Sequence, residues 1–198
     1  MKREKYLKPI LIVISAPSGT GKTTVCRELL KRNPDFRLSI SATTRPPRIT
    51  EANGVDYFFL SNEEFMDKVR KGEFLEYEKV FGHYYGTLKS TVENYLKEGY
   101  SVLFDIDVNG ALKIKEHYPD ALLIFIKPPS LEELKERLKN RKTDTPEQIQ
   151  ERLSRLPIEY EKSKLFNVQV VNKELQETVL NLEKIIREYQ RKLDYVSQ

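Results

Sequence analysis

"ILIVISAPSGTGKTT", residues 10–24, sets an apolar, β-branched run against a loop of small residues that closes on a lysine and two threonines. The run reads as a buried strand. A turn that only needed glycine would not also ask for the lysine. The general phosphate-loop pattern, G-x-x-x-x-G-K-[ST], follows a strand and opens a helix. Ala16, Pro17, Ser18, Gly19, Thr20, Gly21, Lys22 and Thr23 fit it, with alanine in place of the first glycine. Gly19 and Gly21 let the backbone turn its N–H groups inward, and Lys22 can reach β- and γ-phosphates. Thr23 offers a hydroxyl to Mg²⁺, and a helix starting near Lys22 and Thr24 aims its positive end at the anion. The loop predicts a bound nucleoside triphosphate.

Working outward, "SVLFDID", residues 101–107, is a second apolar strand that ends in acid. An aspartate there is the usual partner of a phosphate loop, because it orients water on the metal ion, and Asp105 fits that role. Further strand-like runs lie at 38–41, 121–126 and 168–171, with helical patterns between most of them. Such alternation indicates a parallel α/β sheet. Ser61, Ser90, Ser130 and Thr145 each open a sequence that fits a capping box, and Gly99 reads as a helix stop. Leu175, Val179, Leu182, Ile185, Ile186 and Tyr189 form a helix-period stripe that should pack on the sheet.

Composition narrows the partners. The chain has 198 residues, a net charge of +4 and interspersed signs, which does not sustain a nucleic-acid-binding claim. No apolar run approaches the roughly 20 residues of a membrane span, and the basic N-terminus lacks the long apolar segment of a signal peptide. Cys26 is the single cysteine, which excludes an internal disulfide and suits a reducing cytoplasm; on a helix it reads as a small buried hydrophobe. With only His83 and His117 besides, a zinc site is not expected. Any metal should be a hard ion held by oxygens.

Two segments interrupt the alternation. Residues 42–88 are rich in Thr, Arg, Pro, Tyr and Gly and carry the short strand patterns "DYFFL" and "EFLEYEKVFGHYYG". This predicts an inserted subdomain with its own small mixed sheet. Residues 137–157 form a basic helical insertion. In the first insertion Arg45 and Arg48 stand three apart, followed by Glu51, Tyr57, Glu76, Tyr84, Tyr85 and Thr87. Paired arginines with tyrosine hydroxyls can grip a dianion through charge-assisted bonds of about 1.5–3 kcal/mol each.

The motifs "SAPSGTGKTT", "SATTRPPR", "NGVDYFF", "FLEY", "YYGT", "DIDVNGA", "IFIKPPS" and "VVN", in that order from about Ile10 to Glu188, resemble those of the guanylate kinase family. The resemblance implies an ATP:GMP phosphotransferase of purine nucleotide metabolism that uses Mg²⁺ with ATP, accepts GMP and dGMP, and resides in the cytoplasm. It implies a P-loop three-layer α/β/α fold with a five-stranded parallel core sheet. The core would comprise about 1–41, 89–136 and 158–198, the GMP-binding subdomain 42–88 and a lid 137–157, all in one domain.

Carried over by motif, the GMP phosphate falls to Arg45, Arg48, Tyr57 and Tyr85, with Glu51 and Asp56 bracing the arginines. Ser41, Glu76, Gly86 and Thr87 face the guanine. Asp105 and Asp107 share the metal and the guanine N2, in an order the sequence leaves open. Arg141 and Arg152 match the lid arginines that act with Lys22 and Arg48 on the transferring group, and Arg137 is a third on the ATP side. Asn172 matches a position near adenine, or else caps a helix. The residues flanking Arg141, Asn140 and Lys142, stand where relatives often have glycine. Two other readings are a kinase for a phosphorylated sugar, which should lack Glu76 and the paired tyrosines, and a phosphopeptide-binding scaffold, which should lack an intact phosphate loop.

Overall fold

Alternation along β1 (Leu11–Ser15) supplies both faces of the core. In the computed structural model, which describes residues 7–80, 82–140 and 145–196, Ile12 and Ile14 enter one apolar cluster while Leu11 and Val13 enter another. Its neighbours β7 (Ser101–Asp105) and β8 (Leu122–Lys127) divide in the same way, Leu103, Ile124 and Ile126 to one side, Phe104, Leu123 and Phe125 to the other. With β2 (Phe36–Leu38) and β9 (Val168–Val171) they form a five-stranded sheet in the order β2-β7-β1-β8-β9, every pairing parallel. Strands covered on both faces need continuous apolar runs, which is why these stood out in the sequence.

Helices α1 (Lys22–Arg32) and α8 (Leu175–Val196) cover the first face through Val25, Cys26 and Leu29 and through Val179, Leu182 and Ile186. Helices α3 (Lys89–Lys97) and α4 (Val108–His117) cover the second through Val92, Val108, Ala111 and Ile114. The expected three-layer α/β/α arrangement is therefore present. Ile124 has no exposed surface, and trimming such a side chain to alanine costs about 2–5 kcal/mol.

The first insertion forms a second sheet in the order β4-β3-β6-β5, made by β3 (Ala42–Thr43), β4 (Phe58–Phe59), β5 (Phe74–Val80) and β6 (His83–Leu88). The β3–β4 pairing is parallel and the others antiparallel. Its own core is thin: Ala42, Phe65 and Phe74, with Phe65 delivered by α2 (Asn62–Arg70). A fourth cluster of Leu134, Leu138 and Leu156, with Ile149 and Leu153 packed against it, joins α5 (Leu131–Asn140), α6 (Pro146–Ser154) and α7 (Leu156–Ser163).

Ser61 and Thr145 close full capping boxes, and Ser130 accepts from the Glu133 N–H at 3.1 Å. Two local expectations are corrected. The second strand spans 36–38 rather than 38–41, because buried Phe36 anchors it and the chain has already crossed to the small sheet by Ala42. Ser90 lies inside α3 and caps nothing; the helix starts at Lys89, whose N–H donates to the Glu73 carbonyl of the neighbouring strand segment at 2.9 Å. Among the described residues no helix is long and apolar enough to cross a membrane.

Candidate active site

The sheet order brings β1 between β7 and β8, so the loops leaving β1 and β7 part to opposite faces and open a crevice at the strand ends. Ile14 of β1 pairs with Asp105 of β7. That register sets the acid beside the start of α1. Lys22 Nζ lies 2.8 Å from Asp105 Oδ1 and donates to the Ile106 carbonyl at 2.8 Å, while Thr23 Oγ1 donates to Asp105 Oδ2 at 2.8 Å. The N-terminus of α1 has no side-chain cap. Its free N–H groups and positive dipole end face the crevice, as an anion site requires.

Gly19 and Gly21 hold φ of 92° and 94°, in the left-handed region, and both lie under close cover. A Cβ on Gly19 would meet Leu138 Cδ2 at 2.9 Å, and one on Gly21 would meet Asn172 Nδ2 at 3.0 Å. The loop is also buttressed from behind. The Thr20 carbonyl accepts from Asn172 Nδ2 at 2.8 Å and from Arg137 Nη1 at 3.2 Å, and Arg152 Nη1 donates to Ser18 Oγ. Asn172 is thus a buried strut of the loop, neither a helix cap nor a lining residue. Arg137 also pairs with Glu133 one turn back. Thr20 is buried and does not line the crevice. Arg141 lies outside the described residues.

The crevice holds a cavity of about 440 Å³ that runs without a break from the phosphate loop to the small sheet. Ala16 to Gly19 and Gly21 to Thr24 form one wall, Ser41, Tyr57, Glu76, Tyr85 and Gly86 the other, and Asp105 and Asp107 the floor between them. Thr87 sits buried behind that wall and donates to Glu76 Oε1 at 2.7 Å. Burial pushes the Glu76 carboxyl above its ordinary value, against the pull of the Thr87 bond. Burial likewise raises Tyr57.

Arg45 and Arg48 stand outside the cavity lining. Burial opposes the Arg45 charge, yet Glu51 and the Tyr85 hydroxyl hold its pKa above the usual arginine value. Both Glu51 oxygens accept from Arg45 Nη2 at 2.9 Å, and one also accepts the Arg48 N–H at 2.8 Å. The Arg48 N–H bond is the main reason the Glu51 carboxyl is held below its ordinary value. Tyr57 lies beneath Arg45, ring centroid to guanidinium 5.4 Å, and meets Tyr85 edge-on. Arg48 itself is exposed. Asp56 does not brace an arginine; it accepts from the Ala52 N–H at 2.8 Å and shapes the turn.

The cavity also exposes residues the sequence reading passed over: Glu78, Ile106, Arg155 and Glu159. Glu78 stands two residues beyond Glu76 on β5, so the period of a strand would have put it on the same face. Arg155 and Glu159 follow Arg152 by three and seven, one side of a helix. Burial, then the neighbouring Asp107, raises the Glu78 carboxyl.

The guanylate kinase family model matches residues 8–189. A guanylate kinase of Clostridium tetani is 47% identical over 189 residues, 96% of this chain and 90% of its own length. One of Clostridium perfringens is 45% identical over 185 residues, 93% of this chain and 86% of its own length. The crystal structure of a guanylate kinase from Anaplasma phagocytophilum superposes with a TM-score of 0.74 at 32% identity, covering 93% of this chain and 87% of that one.

Proposed function

The chain belongs to the guanylate kinase family and transfers the γ-phosphoryl group of ATP to GMP, giving ADP and GDP; from that premise we propose how its residues divide the work. The observation that carries the division is one uninterrupted cavity with uncapped helix amides and Lys22 on one wall and half-buried Glu76 on the other. ATP phosphates occupy the loop from Ala16 to Thr24. The GMP phosphate goes to Arg45, Arg48, Tyr57 and Tyr85. The guanine goes to Ser41, Glu76, Thr87 and Asp107. Guanine presents N1–H and N2–H₂ donors that a carboxylate accepts together, whereas adenine turns an unprotonated N1 to the same place. A site built on such bonds rejects the mispaired analogue strongly.

The attacking oxygen of GMP is already anionic, so in-line transfer needs no general base and no covalent enzyme intermediate. What remains is positioning and stabilisation of charge that spreads as the bond breaks. Lys22 and Arg48 serve from the core and the first insertion, and Arg137, Arg141 and Arg152 from the lid, residues 137–157. Arg137 and Arg152 already reach the phosphate loop through Thr20 and Ser18. Residues 42–88 and the lid close over the core and exclude water.

Mg²⁺ with ATP fits the donor set. Thr23 and Asp105 set hard oxygens 2.8 Å apart, and the described residues contain no group of three or more metal-ligating side chains. That suits an ion that keeps waters and phosphate oxygens as its main ligands. Thr23 would hold it directly and Asp105 through water, and it would neutralise charge on the β- and γ-phosphates. The engagement of Asp105 by Lys22 and Thr23 supports giving it the metal and giving Asp107 the guanine. We assign dGMP as a second acceptor and the cytoplasm as the compartment.

The test is ADP release measured with GMP, dGMP and AMP as acceptors. Turnover with GMP and dGMP and little with AMP is expected; equal turnover with AMP would overturn the guanine assignment.

A further inference from the structure

Arg155 occupies the joint between α6 and α7 and reaches across the cavity floor, where its Nη2 lies 3.8 Å from Asp107 Oδ2. The pair is long and its side chains retain 45% and 34% of their exposure, so it is weak. Asp107 is committed on its other oxygen, which caps α4 by accepting the Gly110 N–H at 2.8 Å. Oδ2 carries no backbone bond and is the freer oxygen for an incoming ligand, and it is the one facing Arg155.

Four residues further along lies Glu159. It lines the same cavity, yet its Oε2 is buried and accepts no hydrogen bond among the described residues. A carboxylate oxygen in that condition is costly to keep, and a native structure generally supplies a donor in another state. Burial raises the Glu159 carboxyl, and Arg155 is the strongest of the charges that pull it back, ahead of Lys22 and against Asp107. The i, i+4 spacing puts the two side chains on one side of α7. Glu78 faces Asp107 and Arg155 as well, but from β5 and with Asp107 as its closest partner.

We infer that Arg155 is a positioning residue with two alternate partners, Asp107 while the acceptor site is empty and Glu159 once guanine has taken Asp107. The inference rests on the assignment of Asp107 to the guanine. The exocyclic N–H₂ of the base replaces the guanidinium at Oδ2. The released guanidinium turns along its own helix and supplies the donor that Glu159 Oε2 lacks. Base recognition is thereby tied to α7 and, through the joint at Arg155, to α6, which carries Arg152. An acceptor without an amine at that place leaves Arg155 on Asp107, so Arg155 adds to the selection of guanine without touching it.

A double-mutant cycle on GMP affinity, measured by calorimetry without ATP, tests the exchange. Glu159→Gln in the otherwise unaltered protein should weaken GMP binding about 3–10-fold, because the arginine loses its second partner. Glu159→Gln on top of Arg155→Gln should change nothing further. An IMP titration, whose base lacks the amine, should show no effect of Glu159→Gln even with Arg155 present. Equal weakening by Glu159→Gln in both backgrounds would overturn the exchange and make Glu159 a direct contact of the nucleotide. Coupling of Arg155 to Glu78→Gln instead would overturn it in favour of the strand. Failure of the unaltered protein to bind GMP would strike the acceptor assignment itself, a different result from an uncoupled cycle. Arg155→Lys, which keeps the charge, should restore part of the coupling if the arginine acts as described and none if it merely fills space.

Discussion

The two walls of the cleft are built on unequal foundations. The donor wall stands on a sheet whose central strands have no exposed surface at Ile12, Val13, Ile14, Leu103 and Ile124, and its loop is pinned from behind by Asn172, Arg137 and Leu138. The acceptor wall stands on a four-stranded sheet whose own apolar cluster has three buried side chains, Ala42, Phe65 and Phe74. It carries Ile49 fully in solvent beside an exposed Arg48. Opening free energy follows buried apolar contact. The first wall is therefore a fixed seat and the second one able to move, which suits an enzyme that must admit two nucleotides and then shut out water.

The sharpest way to break this contrast is at Lys22. Lys22→Ala should lower kcat about 10²–10³-fold while GMP affinity, a property of the other wall, stays within about twofold. Steady-state kinetics beside GMP calorimetry would check it; full kcat in the variant would remove the loop from the chemistry.

Next in size is Glu76→Gln, which loses a charge-assisted bond worth about 1.5–3 kcal/mol and should weaken GMP binding about 10- to 100-fold with ATP affinity unchanged. The same change should stabilise the empty protein. Burial raises the Glu76 pKa, so its contribution to stability is full below the carboxyl's unfolded pKa and fades as pH rises through the folded one. Above the folded pKa the ionised group is therefore a liability, and glutamine removes it. Each kcal/mol regained is about 2–4 °C in melting temperature for a chain of this size. GMP affinity of the unaltered protein should fall as pH is lowered through that raised value, and the variant should show no such fall.

Damage at the sheet itself comes third. A Cβ on Gly86 would stand 2.8 Å from the Glu76 carbonyl and 2.9 Å from both Phe74 and Tyr77. Gly86→Ala should destabilise by about 1–3 kcal/mol and impair GMP binding, while ATP binding, followed separately, holds. The smallest effect belongs to Ser61→Ala, which removes the cap of α2 and should cost about 1 kcal/mol. Hydrogen exchange should place that loss in residues 42–88 and spare the core strands.

The same inequality governed what could be read from the sequence. The donor wall was legible because its requirements are local: glycine where φ is positive, a lysine at the start of a helix, apolar strands to hold both. Helix α8 was legible from its stripe for the same reason, a single period sustained over about four turns from Leu175 to Tyr189. The second strand was misplaced because a three-residue strand has too short a pattern to register, and its end is set by where the chain must go next. Ser90 matched a cap by spacing, yet the Glu73 carbonyl just before β5 took the helix start. Asn172 was singled out by motif, but its work, holding the Thr20 carbonyl, depends on a contact across 152 residues. Arg155 and Glu159 escaped because their meaning arises only where α7 crosses the floor near Asp107.

The pairing of Lys22 with Asp105 has one more consequence. Lys22 has a counter-ion inside the loop's own surroundings, and Thr23, the next residue, holds that same aspartate by its other oxygen. A small anion arriving by itself would have to draw the lysine away and strand the aspartate in a half-buried place. An anion that brings its own cation offers both groups a new partner at once. Calorimetry should therefore show the loop binding inorganic phosphate more weakly than it binds ATP with Mg²⁺; equal affinities would show that the Lys22–Asp105 pair imposes no such cost.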